Sequence, residues 1–139
     1  MQSSGEMPEL DRSDSLTGPD TDNNGIRDDI DRYLLTVEAS EAEKLALVQV
    51  ARALQAVQAS DLSSENKLRE LDDVTLKASA CVMDTYERAV DADRESRKLQ
   101  GYTANTRNRT RHYIKYNQLR DGTIFKLPKI GVSCDGVAQ

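Results

Sequence analysis

The twelve residues DTDNNGIRDDID, positions 20–31, set five aspartates and two asparagines around one glycine. Like charges at this density repel, so the arrangement is unfavourable unless a cation lies among the carboxylates. Hard divalent ions such as calcium take six to eight oxygen ligands, and carboxylates at alternate positions of a tight loop converge on one point. Asp20, Asp22 and Asn24 supply that alternation. Gly25 stands where the chain must turn, and the Ile26 carbonyl can face inward. Asp28 and Asp31 add carboxylates from the first turn of a following helix, whose partly positive N-terminus favours anions. We therefore expect calcium to be held by Asp20, Asp22, Asn24, the Ile26 backbone, Asp28 and Asp31. The competing reading is an acidic surface loop in which Asp28 or Asp29 only serves the helix start.

The full pattern, D-x-D-x-N-G-x-x-D-x-x-D, resembles the calcium-binding repeats of thrombospondin type 3 and similar single loops in bacterial secreted proteins. The resemblance implies that the same five side chains and the Ile26 backbone bind the ion. The loop also looks like an EF-hand, with two departures. The apolar residue falls one place early, at Ile26 rather than Arg27, and Asp31 stands where a closing Glu is usual. The likeness covers some twelve residues of 139. A single loop, where sensing EF-hands come in pairs, implies a structural ion that fastens what precedes the loop to the first helix.

Two cysteines, Cys81 and Cys134, are far apart in sequence, with no C-x-x-C and one histidine to help a metal. We expect a disulfide that pins the C-terminal tail to a helix. Closing the 54 residues from 81 to 134 contributes on the order of 4 kcal/mol in the chain-entropy model. The other reading is two buried free thiols. A disulfide and an exported calcium site agree on an oxidising compartment, periplasmic or secreted. The start, MQSSGEM, has no apolar stretch behind it, so the chain is either cytosolic or has lost a signal sequence ahead of Met1, and the cysteine pair and calcium loop favour the second.

The elements that must carry these groups read as all-α, a small bundle of about four helices forming one domain over 20–139. Residues 1–19 are rich in Ser, Gly, Pro and acid and read as a flexible leader. Ile30, Tyr33, Leu34 and Val37 give a short helix leaving the loop. Ser40 with Glu43 matches a capping box that opens a second helix running to about Ala59. A third helix starts near Ser64 and Glu65. Its stripe of Leu68, Leu71, Thr75, Ala78, Val82, Tyr86 and Ala89 predicts one long rod ended by Gly101. A fourth covers roughly 103–120, and 122–139 reads as an extended tail around Pro128. No apolar run approaches the roughly 20 residues that span a bilayer.

Charge is uneven: net −5 overall, −7 over residues 1–40 and +4 over 101–121. In the 103–120 helix, Arg107, Arg109, Arg111, His112 and Lys115 alternate with Tyr113 and Tyr116. Such runs can bind nucleic acid. Against that stand the net negative charge and arginines at i, i+2 and i+4, which spread round a helix instead of lining one side. His112 has no nucleophile near it in sequence, and Ser64-Glu-Asn-Lys67 has the S-x-x-K form without companion motifs, so it reads as a cap. The sequence thus points to a non-enzymatic, exported calcium-binding protein that acts by protein–protein contact. A toxin-neutralising immunity protein, with a secreted toxin or enzyme as partner, is the particular case we expect. Arg109, Tyr113, Tyr116 and Arg120 combine the residue types enriched at interface hot spots and are the expected partner surface. The alternatives are an enzyme, or the accessory domain of a secreted hydrolase, with a structural calcium, and a nucleic-acid binder through helix 103–120.

Overall fold

The computed structural model describes residues 8–120 and Cys134. Among them are five helices and no strand: α1 (Asp28–Thr36), α2 (Glu41–Ala59), α3 (Glu65–Thr85), α4 (Ala89–Thr103) and α5 (Arg107–Arg120). The fold is an all-helical bundle, as the periodicities predict. Helix α2 lies at its centre and packs against each of the other four. Two helix faces of small and branched side chains allow this, because Ala46, Leu47, Val50, Ala51, Ala53, Leu54 and Val57 are all buried. Its start is the predicted capping box. Ser40 Oγ accepts the Glu43 N–H at 3.1 Å, and Glu43 Oε1 accepts the Ser40 N–H at 2.9 Å.

The long third helix is instead two. The chain leaves the helix at Tyr86, whose backbone is extended (φ −78°, ψ 140°), and re-enters at Ala89. Neither Gly nor Pro stands at the break, so its cause is tertiary. A rod from 65 to 103 would be about 58 Å long, twice the roughly 28 Å of α2. Its second half would carry Ala92 and Leu99 past the core and into water. Folding back buries both completely against the bundle, which is worth about 1.5–3 kcal/mol for a leucine alone. Gly101 does not end α4; it lies inside the helix with open space around it.

Cys81 on α3 and Cys134 are joined by a disulfide, with Cα atoms 4.7 Å apart. The extended tail expected over 122–139 lies otherwise outside the described residues. Residues 8–19 are no loose leader. They form an irregular strap packed on the bundle, with Leu10 in the core. Hydrogen bonds from Gln55, Asn105 and Arg109 to strap carbonyls hold this polar segment in place.

Candidate metal centre

The loop folds around Asp20. Its two carboxylate oxygens accept the backbone N–H groups of Asn24 (3.2 Å) and Gly25 (2.9 Å), and its carbonyl accepts the Asn23 N–H. The turn needs left-handed backbone at two residues, Asn23 (φ 56°) and Gly25 (φ 84°), which Asn tolerates and Gly favours. Asn24 Oδ1 accepts the Ile26 N–H at 2.9 Å, and its Nδ2 donates to Asp31 Oδ2 at 2.7 Å. Asp28 receives both the N–H and the hydroxyl of Thr21, at 2.8 and 2.6 Å. The Ile26 side chain anchors the loop in the core, 1% exposed.

The result brings carboxylate oxygens of Asp20, Asp22 and Asp28 within 4.8 Å of one another. Asp31 joins them through Asn24, and its charge reaches Asp22. Of the predicted ligands, Asn24, Asp20 and Asp28 all have side-chain oxygens that accept N–H groups of the loop's own backbone. Desolvation, then the hydrogen bond that protonated Asp22 donates to Asp20 and the charges of Asp31 and Asp20, raise the Asp22 pKa above the ordinary aspartate value. Asp28 is held low by its Thr21 hydrogen bonds. Each carboxylate oxygen has two lone pairs, so the backbone bonds to Asp20 leave one on each oxygen. The donor set is all oxygen and mostly anionic, which fits a hard divalent cation. Asp20, Asp22, Asp28 and Asp31 are the side chains that would hold it, and the ion would neutralise their repulsion.

Behind the loop stands a group of charges that spacing did not reveal. In RDDID, Asp28 and Asp31 face outward while Arg27 and Asp29 turn in, 0% and 3% exposed. Arg27 Nε donates to Asp29 Oδ1 at 2.6 Å, and its two terminal nitrogens donate to the carbonyls of Thr103 and Tyr102 at the end of α4. Asp29 Oδ2 accepts the Asp11 N–H at 2.7 Å. Arg109, wholly buried, closes the group from α5. It pairs with Asp11 Oδ2 at 2.6 Å and donates to the Asp11, Ser15 and Leu16 carbonyls and to Asn105 Oδ1. Gly18 (φ 64°) passes between the two guanidiniums, where a Cβ would stand 2.5 Å from Arg27 Cδ and 3.0 Å from an Arg109 terminal nitrogen. This clasp ties strap, loop, α4 and α5 together. The one local signal for it is a basic residue amid acids at position 27, with partners some 75 to 100 residues away in sequence.

Two of the four residues expected at a partner surface are buried instead, and the other two are partly exposed. Arg109 is fully buried in the clasp and Tyr116 is 1% exposed, its hydroxyl donating to Asp72 Oδ1 at 2.8 Å. Tyr113 is partly buried against the core. Arg120 pairs with Asp72 at 2.8 Å and stacks over the Tyr116 ring at 5.1 Å. Steps of four and three from 109 to 113 to 116 define the core face of α5, and the buried guanidinium is sustained by carbonyls. His112 is half-buried, and its Nε2–H donates to the Val57 carbonyl at 2.9 Å. None of the described helices is long and apolar enough to cross a membrane. No family model matches the chain, and no curated protein or solved structure matches it.

Proposed function

We propose that this chain is an exported protein that binds one calcium ion structurally in the loop 20–31 and works without catalysis, by contact with another protein. The observation that carries the reading is the convergence of Asp20, Asp22 and Asp28 at the spacing that suggested a cation in the first place. The Cys81–Cys134 pair supports an oxidising compartment. The loop's connections support a structural ion over a signalling one. Pro19 O accepts the Asp28 N–H at 2.9 Å, and Asn24 O accepts from Arg52 Nε on α2 at 3.2 Å, so an ordered loop fixes the strap's exit onto the bundle.

Titration calorimetry tests this on the purified protein and on the Asp22→Ala, Asp31→Ala double variant. One calcium per chain is expected, with magnesium much weaker because it demands a tighter octahedral shell. The double variant should give no heat. A calcium heat that the two substitutions leave unchanged would remove the site from the loop.

A further inference from the structure

The basic character of α5 is real, but with Arg109 turned inward it lies elsewhere than expected. Arg107, Arg111 and Lys115 recur every fourth residue, so they share one flank of the helix, and all three are exposed. None of them makes an ion pair with a described residue. The charge of Lys115 reaches Asp61, a carboxyl held low mainly by Ser63. Helix α5 carries no acidic residue to offset the flank.

Beside this flank runs an open groove of about 400 Å³, lined by Leu16, Asn108, Arg111, His112 and Lys115. Two of its walls are fixed from behind. Leu16 belongs to the strap, and its carbonyl accepts from buried Arg109; the His112 ring is held by Val57 O. Two of the five lining residues are thus held in place, which lowers part of the ordering cost of binding.

We propose that this groove takes an acidic segment of a partner protein. This rests on the protein-contact reading above and gives it a place. Three cations at one-turn steps spread over roughly 12 Å of helix, each step about 6 Å. Glutamates at alternate residues of an extended chain repeat at roughly 6.6–6.8 Å, a close match. Arg111 offers a planar fork for a carboxylate, Lys115 a point charge, Asn108 an amide donor, and Leu16 an apolar floor for the intervening methylenes. Nucleic acid fits less well. Single strands stack bases on exposed aromatic rings, and the α5 tyrosines are turned to the core, Tyr116 wholly so.

The test is fluorescence anisotropy of a labelled Glu-Ser-Glu-Ser-Glu-Ser-Glu peptide with the full chain in calcium, at low and physiological salt. Binding should weaken as salt rises, and Arg111→Glu with Lys115→Glu should weaken it at least about tenfold, since like charge replaces opposite charge. Arg97→Glu, a single charge reversal on an exposed α4 arginine paired with Asp93, should cost less than about twofold, and less than Arg111→Glu alone. All three positions are solvent-facing, and an unchanged melting curve confirms that each variant is folded. Equal weakening by the Arg97 control would overturn the groove, as would tighter binding of a single-stranded oligonucleotide or of inorganic phosphate at the same ionic strength. A protein that shows its calcium heat but binds no peptide loses the groove and keeps the metal reading.

Discussion

The acidic loop and the arginine clasp share one short sequence, RDDID, and treat charge in opposite ways. Outward, Asp28 and Asp31 join Asp20 and Asp22 in a cluster that crowds negative charge near solvent. Inward, Arg27 and Asp29 are withdrawn from water, and with Arg109 they are matched to carboxylates and carbonyls. The same helix start thus brings like charges together on one side and pairs opposite charges on the other. Acid shows the difference most clearly. The Asp22 pKa is raised, so its contribution to stability is present below the unfolded aspartate pKa and lost as pH rises through the folded one. The Asp11 pKa is lowered, first by its hydrogen bond from Arg109, so its contribution is present above the unfolded value and lost as pH falls through the folded one. Acidification relieves Asp22 in the loop, but it weakens the hydrogen-bonded carboxylates of Asp28 in the loop and Asp11 in the clasp.

The strongest way to break the comparison is at Arg109. Arg109→Met keeps the bulk and removes the donors, leaving the Asp11 carboxylate and three strap carbonyls without their partner. Breaking a buried pair in this way costs about 3–5 kcal/mol. Denaturant unfolding should show that loss in calcium and in chelator alike, because the clasp needs no ion. A loss under about 1 kcal/mol would mean that water replaces the guanidinium and the clasp is ornamental.

Gly18→Ala comes next. Its left-handed backbone and the 2.5 Å approach to Arg27 Cδ force either strain or a shift of the strap. About 1–3 kcal/mol is expected, with faster hydrogen exchange confined to the strap and loop. Unfolding free energy within error of the parent would show that the strap moves aside at no cost.

How far the sequence revealed all this depended on how far apart the interacting residues lie. The loop is local, with five spaced acceptors and a glycine inside twelve residues, and the convergence of three of them, Asp20, Asp22 and Asp28, was legible. So was the start of α2, because a capping box is a contact three residues long. The break after Thr85 was not, since nothing in Tyr86-Glu87-Arg88 stops a helix; the reward for stopping is the burial of Ala92 and Leu99 against a distant helix. The clasp was not legible either. Arg109 looked like a hot-spot arginine because burial of a guanidinium depends on carbonyls at residues 11, 15 and 16, which no periodicity in α5 announces. The groove flank became visible only after Arg109 was taken out of it.

The central proposal is that the stability of the loop depends on a bound cation and that of the clasp does not. Its most direct measurement is the melting temperature of the parent and of Asp22→Ala, Asp31→Ala, each in calcium and in chelator, at neutral pH and again near pH 4. An ion bound to the folded state alone stabilises by about 2.7 kcal/mol at a hundred times its Kd, roughly 10 °C for a domain of this size. The parent should gain that much at neutral pH and less near pH 4, where protons compete for Asp22. The double variant should gain nothing, and in chelator it should melt no lower than the parent, because repulsion has been removed. A parent that melts at one temperature with and without calcium, or a double variant that calcium still raises, would contradict the account.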